Sequence, residues 1–191
     1  MIIPRDAIQT YTHYFDYANL NPDDVKIEDI AHSLSLLCRF GGHINQFYSV
    51  AAHCCMVHDM MEEDGLFAHA LSGLLHDAHE AYVSDVTRPL KRFLKEAYGF
   101  DFNKVVSDPI DEVIFKKFGI QFPHSHYIED QIKKYDNIAL FTENVNLFSD
   151  VVEWDWYVEP RSKEFFANYI DPTKDWEQEF LERFNRYQEK S

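Results

Sequence analysis

The segment Leu74-Leu75-His76-Asp77-Ala78-His79-Glu80 sets an imidazole beside a carboxylate, with a second carboxylate one helical turn further on. His53 lies upstream on an earlier expected helix, and Asp136 lies downstream on a later one. Hard divalent cations accept carboxylate oxygen, and imidazole suits iron, cobalt, nickel or zinc. A histidine, a His-Asp doublet and a distant aspartate can therefore hold one divalent metal between packed helices. Two His and two Asp donors leave room in an octahedral shell for water and a substrate oxygen. Such a centre lowers the pKa of water and stabilises charge growing on phosphate oxygens, so metal-dependent hydrolysis is the leading reading.

Each of these residues also has an ordinary explanation. Leu66, Ala70, Gly73 and Asp77 recur at spacings of four, three and four, which places Asp77 on an inward-facing stripe. Glu80 follows Asp77 by three and His76 by four, so it can lean over the same site without binding the metal. Ile132, Asp136, Ala139 and Glu143 share a later face. An unpaired Asp136 buried there costs several kcal/mol, an amount that a metal, or a base such as Lys133, would offset. His53 taken alone is as readily a satisfied core histidine. Arg39 can present a planar fork to phosphate or hold a local carboxylate, and Lys91 offers a mobile positive charge. Phe40 can pack against a substrate or fill the core. His43, after the Gly41-Gly42 turn, can enter a pocket or stabilise that turn. His79 points away from both His76 and Glu80, and His124 and His126 form no second metal motif. Asp111 and Glu112 suit an early helical turn, where negative charge favours exposed amides.

The elements that must position these residues are helices. Ile27, Ile30, Ala31, Leu34 and Leu37 build one apolar face, and Gly41-Gly42 interrupts it. A second helix is predicted from Ser49, whose side chain can cap it, and it carries His53. A third is predicted over Leu66 to Tyr82, carrying the doublet. Pro89 opens a short helix to Ala97, and Asp108-Pro109 starts another that ends near Gly119. Pro123 precedes a long segment from Tyr127 to Val152. Pro160 precedes a short helix, and Pro172 restarts the chain into a terminal helix with Trp176, Phe180 and Phe184 on one face. Residues 1–24 read as an aromatic-rich segment with a turn at Asn21-Pro22-Asp23-Asp24, and Trp154, Trp156 and Tyr157 are placed to cover a core edge. No repeat or linker interrupts the chain.

At 191 residues and 46% hydrophobic composition, the chain can enclose a sizeable core, and one all-helical domain is expected. Eighteen basic residues against 33 acidic ones give a net charge of -15, which argues against a nucleic-acid polymer or an anionic membrane as partner. A small anion is still compatible, because a metal and a few bases reverse the potential locally. No apolar run is long enough to cross a membrane, and the N-terminus lacks the organisation of a secretory signal. Cys38, Cys54 and Cys55 make no metal or disulfide spacing, so reduced thiols and a cytoplasmic location are expected, in the host cytoplasm if a phage encodes the chain.

Three stretches carry a likeness to a known family: SVAAH ending at His53, LLHDAHEAYVSDVTRPLK from Leu74 to Lys91, and KYDNIALFTE ending at Glu143. In them the chain resembles the HD-domain metal phosphohydrolases, especially small bacterial 5'-deoxynucleotidases and phage deoxynucleoside triphosphohydrolases. The resemblance runs from Ile27 to Phe148. It implies an all-α, compact HD-domain helical bundle, with residues 1–191 as one domain and 27–148 as its metal-site core. It gives His53, His76, Asp77 and Asp136 the ligand roles, Glu80 the catalytic carboxylate, and Asp85 the orientation of substrate or water. Arg39 and Lys91 become substrate-contacting bases and Phe40 a support for sugar or base, with His43 a further candidate there. Ala52 departs from the glutamate often found before the first ligand histidine, and Phe40 from a frequent tryptophan.

The resemblance further implies one catalytic divalent ion, which can be cobalt, zinc, manganese, nickel or iron, with additional magnesium on a triphosphate substrate. The expected reaction converts a deoxynucleoside triphosphate, dATP being the first to try, to deoxynucleoside and inorganic triphosphate. The alternative is a 5'-deoxynucleotidase releasing phosphate from a monophosphate. A homodimer or higher oligomer is expected, with Trp176, Phe180 and Phe184 either at the subunit interface or folded back on their own chain. A non-enzymatic helical adaptor would use the acidic surface and this terminal helix, but it gives no reason for the ligand set to converge.

Overall fold

The computed structural model describes residues 3–150 and 154–188. Helices dominate, joined by one small hairpin that the helical reading did not anticipate. Strand β1 (Ala7–Gln9) pairs antiparallel with β2 (Tyr14–Asp16), setting Ile8 opposite Phe15. Asp29 fixes the hairpin's tip by accepting from Thr10 Oγ1 and the Thr12 amide, each at 2.6 Å. Phe15 is fully buried and stacks on Tyr82 at 4.0 Å, so this short ribbon is held by the helical core rather than by its own ladder.

Helix α1 (Ile27–Leu36) buries Ile30, Ala31 and Leu34, the face expected from their spacing. Helix α2 (Val50–Glu63) begins where Ser49 accepts from the Ala52 amide, and it runs through the middle of the core. Helix α3 (Phe67–Leu74) lies close against α2 at Gly73, where any Cβ would collide with Met61. Further along come α4 (Glu80–Val83), α5 (Arg88–Tyr98) and α6 (Asp108–Lys117). Helix α7 (His126–Leu147) is capped by Ser125, α8 (Lys163–Ala167) is short, and α9 (Trp176–Gln188) closes the chain. No helix among the described residues is long and apolar enough to cross a membrane.

The main correction concerns the doublet. One helix was expected from Leu66 to Tyr82, but the chain breaks into α3 and α4 with tight turns across Leu75–His79. The Ala78 and Glu80 amides bond three residues back, to Leu75 O and Asp77 O, both at 3.0 Å. His76 Nδ1 takes up the carbonyl of Gly73 at 2.7 Å. Adjacent side chains on an α-helix diverge by about 100°, so an unbroken helix would aim His76 and Asp77 apart. Across these turns the two side chains instead meet, with His76 Nε2 3.2 Å from Asp77 Oδ2.

Two ends also differ. Helix α7 stops at Leu147 rather than Val152, which lies with Val151 outside the described residues. The terminal helix folds back on its own chain: Phe180 and Phe184 are buried, Phe184 packs edge-on against Phe118, and Trp176 stacks on Tyr169. Its aromatic face is therefore not an exposed interface. Arg183 secures α9 to α2 with bonds of 2.8 and 2.7 Å to the two oxygens of Asp59.

Candidate metal centre

Two helices and the broken turn deliver the donor atoms. His53 Nε2, on α2, lies 3.2 Å from His76 Nε2, 3.6 Å from Asp77 Oδ2 and 3.3 Å from Asp136 Oδ1 on α7. His76 Nε2 lies 3.2 Å from Asp77 Oδ2 and 3.9 Å from Asp136 Oδ1. Donors at right angles around a first-row ion, with bonds near 2.1 Å, stand roughly 3 Å apart, so these separations suit a shared shell. His53, His76 and Asp136 form a group whose donor atoms all lie within 4.8 Å of one another. Asp77 approaches both imidazoles but stands outside that mutual group.

The tautomers give a more specific test of fit. Glu143, wholly buried on α7, accepts from His53 Nδ1 at 2.6 Å, and Gly73 O accepts from His76 Nδ1 at 2.7 Å. Each Nδ1 thus carries a proton, so in its neutral form each imidazole has its lone pair on Nε2. Both lone pairs face the same point between two aspartates. Orienting acceptors of this kind are what a metal-ligating histidine needs. The residues present therefore fit a divalent cation.

A proton competes with a cation for these nitrogens. Burial disfavours the His76 imidazolium, but the charge and hydrogen bond of Asp77 outweigh it and hold the pKa well above the ordinary histidine value. Burial likewise works against the Asp136 carboxylate, yet the His53 imidazole beside it and the positive charge of Arg88 hold it below the usual range. Asp77 is held down despite its burial by His76, His53 and Arg39. The cluster favours positive charge between its donors.

Glu80 behaves oppositely. Burial, then the Asp77 and Asp85 carboxylates, push its carboxyl well above the ordinary range. Its Oε2 is buried without a hydrogen-bond partner, beside the donors and on the wall of a cavity of about 850 Å³. Asp77, Asp136, Arg39, Phe40, His43, Asp85 and Lys91 share that wall. His53 lies behind it, completely buried.

The substrate-side candidates divide. Arg39 is committed to Glu143 through Nε and Nη2 at 3.2 and 3.0 Å, with Nη1 3.7 Å from Asp77. Holding a local carboxylate is thus its principal contact, beside its place on the cavity wall. Phe40 adopts φ 57° and ψ 26°, a left-handed conformation that costs a non-glycine residue on the order of 1–3 kcal/mol. Its amide donates to Asp85 Oδ2 at 3.1 Å, and its ring meets Phe148 edge-on at 5.1 Å. Asp85 therefore holds the turn that aims Phe40 at the cavity. His43 donates its amide to Phe40 O at 3.1 Å and belongs to that same turn. Lys91 Nζ stands 5.5 Å over the Phe102 ring.

Several participants were not assigned from sequence. Glu143 orients His53, and the signal was its place two turns beyond Asp136 on the same helical face. Asp136 pairs with Arg88 rather than Lys133; Arg88 binds Asp136 Oδ2, and its Nη1 donates to Asn137 Oδ1 at 2.8 Å. Trp154 and Trp156 pack on Phe141 and line the cavity. Asp111 lies in the first turn of α6, as expected, but it is buried there and bonded to His79 Nδ1 at 3.0 Å. That bond anchors α6 behind the doublet.

A second group, His58, Asp59 and Glu62, also has metal-compatible spacing. Its donors are already engaged: Arg183 takes both Asp59 oxygens, and Tyr187 Oη lies 3.1 Å from both His58 Nε2 and Glu62 Oε1. This group clamps α2 to α9, whereas the first opens onto a cavity.

No protein-family model matches the chain. It is 38% identical over 144 residues to the Escherichia coli (strain K12) protein YfdR, covering 75% of this chain and 73% of the relative. It is also 30% identical over 148 residues to a Rhodobacter capsulatus protein, covering 71% of this chain and 70% of the relative. Both relatives are described as uncharacterized.

Proposed function

The chain belongs to the family of the Escherichia coli protein YfdR, and from the site it carries we propose that it is a metal-dependent nucleotide phosphohydrolase of the HD-domain type. In this reading residues 1–191 form one such domain, with its metal-site core over 27–148. The observation that carries the proposal is the pair of imidazole Nε2 atoms held 3.2 Å apart between two aspartates, at the edge of a large cavity. His53, His76, Asp77 and Asp136 would hold the ion. When bound, it supplies the positive charge that activates water and offsets charge growing on phosphate oxygens.

The remaining work falls to the chain's own side chains. Arg88, Lys91 and Arg92 form a basic wall, placed to take the phosphates of an anionic substrate despite the acidic surface elsewhere. Phe40, Phe148, Trp154 and Trp156 give the same cavity an apolar side suited to a sugar and base. A volume of about 850 Å³ falls within the range of cavities that enclose small organic ligands. Water adds to the α-phosphorus and the bond to the deoxyribose 5'-oxygen breaks, releasing deoxynucleoside and inorganic triphosphate. Glu80, whose proton affinity burial has raised, takes a proton from the attacking water and returns one to the departing 5'-oxygen. Asp85 keeps the Phe40 turn in place during this exchange.

The deciding experiment is a substrate panel with purified protein and each of cobalt, manganese, zinc, nickel, iron and magnesium. Matched dATP, dGTP, dCTP and dTTP are assayed with their monophosphates, and the phosphorus-containing product is identified directly. Inorganic triphosphate from a deoxynucleoside triphosphate is expected. Orthophosphate from monophosphates alone would make the protein a 5'-deoxynucleotidase. No hydrolysis with any metal would refute the proposal and favour an adaptor.

A further inference from the structure

Helix α5 is built the wrong way round for a surface helix. Arg88, Lys91, Arg92 and Lys95 share one side of it; the first three line the cavity, and Lys95 pairs with Asp101 at 2.6 Å. The opposite side carries Leu90, Phe93, Ala97 and Tyr98. Leu90 is 46% exposed, Phe93 54% and Tyr98 72%, and the Phe93 and Tyr98 rings touch edge-on at 5.7 Å. An amphipathic helix normally turns its apolar stripe to the core and its charges to water. Here no residue of α5 is buried, only Leu94 among its apolar residues is half-buried, and among the described residues none of its apolar side chains packs against the hydrophobic core.

Stability sharpens the anomaly. An isolated helix of 11 residues is marginal in water, and helices this short are held by packing of an apolar face. The outward stripe, with Phe100 beyond the Gly99 cap, leaves roughly 400 Å² of apolar side chain exposed, within the range of patches that mark an interaction site. That is about half of the roughly 800 Å² that each partner contributes to a stable complex, enough for the apolar centre of one.

We propose that a second copy of this chain covers the outer face of α5, so that self-association fixes the helix that bears the basic wall of the cavity. Charge selects this occupant over a lipid surface. A helix that binds an anionic membrane presents its cations at the membrane boundary, whereas those of α5 turn into its own cavity or to Asp101, in a chain of net charge -15. A two-fold axis across the stripe would set Leu90, Phe93 and Tyr98 against the same residues of the second copy, an isologous contact free of unpaired charge. The partner completes the site by holding α5, and with it Arg88, Lys91 and Arg92, in place. The contact itself does not depend on the reaction proposed above, so the test reads assembly rather than turnover.

Sedimentation velocity across a wide concentration range is measured for the wild-type protein and for the Phe93→Glu/Tyr98→Glu variant, with circular dichroism to check the fold. Amide hydrogen exchange of residues 89–98 is followed in the wild-type protein over the same range. The wild type should be a dimer or larger, with protection of α5 rising in step with association. The variant should associate at least about 100-fold more weakly, the loss expected when central interface aromatics are removed. If the variant unfolds, the concentration dependence of wild-type protection decides alone. A wild-type monomer at every concentration overturns the proposal, whether or not it binds anionic vesicles. So does an assembly in which α5 exchange is independent of concentration, or one that a folded variant retains.

Discussion

Replacing Glu143 by glutamine keeps the volume of a wholly buried side chain and changes only what its oxygens can do. Glu143 Oε1 accepts from His53 Nδ1 at 2.6 Å, while Oε2 accepts from Arg39 Nε and Nη2 at 3.2 and 3.0 Å. Glutamine has one acceptor and one donor where the carboxylate has two acceptors. If its oxygen serves Arg39, its amide group faces His53 Nδ1 and draws the imidazole into the other tautomer, with the proton on Nε2. That nitrogen then has no lone pair to offer. If the oxygen serves His53, the amide group opposes the donors of a buried guanidinium, where an unmet bond to a charged group costs about 1.5–3 kcal/mol. The first arrangement satisfies both buried partners and sacrifices the ligand. Loss of such orienting groups typically weakens metal binding 10- to 100-fold, equivalent to about 1.4–2.8 kcal/mol. Chelator competition with cobalt or zinc measures this directly, with circular dichroism confirming the fold. A folded Glu143→Gln protein with wild-type metal affinity would refute the reasoning, because His53 Nε2 would then not be a ligand.

Glu80→Ala should leave the fold and metal affinity near those of the wild type and lower kcat by roughly 10²- to 10⁴-fold; unchanged turnover at equal metal loading would remove its catalytic role. Lys91→Ala should lower kcat/KM for nucleotides by roughly 10- to 100-fold, in line with one lost hydrogen bond from a charged group, and leave metal affinity unchanged. The Asp59 carboxyl, although burial pushes it up, is held well below its ordinary value of 3.8 by Arg183 and His58. A depressed folded value means that its contribution to stability is complete above the ordinary value and is lost as pH falls below it. Thermal melts from pH 7 to pH 3 should therefore decline less steeply for Asp59→Asn than for the wild type, and parallel declines would contradict the assignment.

Much of the helical order could be read along the chain, because caps and breakers act locally. Ser49 and Ser125 cap α2 and α7, Pro89 opens α5, and the α1 stripe buries the face that its spacing indicates. The break at Leu75–His79 could not be read that way. Leu66, Ala70, Gly73 and Asp77 keep helical spacing through it, and the contacts made there, His76 to the Gly73 carbonyl and His79 to Asp111, are not visible in that spacing. The hairpin was hidden for a similar reason, since Asp29 and Tyr82, distant in sequence, hold it. In the site, His53, His76, Asp77 and Asp136 were singled out by residue type and motif, and the structure brings their side chains close together. The tasks of Glu143, Arg88 and Asp111 depended on partners 32 to 90 residues away. Helix α5 shows the limit of periodicity: its apolar stripe was readable, but not that the stripe faces outward.

The central claim is a divalent ion held by His53, His76, Asp77 and Asp136, and anomalous X-ray scattering from crystals grown with cobalt or manganese tests it most directly. The account predicts one ion per chain, roughly 2.0–2.3 Å from Nε2 of both histidines and from an oxygen of each aspartate. An ion bound instead among His58, Asp59 and Glu62, or a cluster that takes up no cation while the protein remains folded, would contradict it.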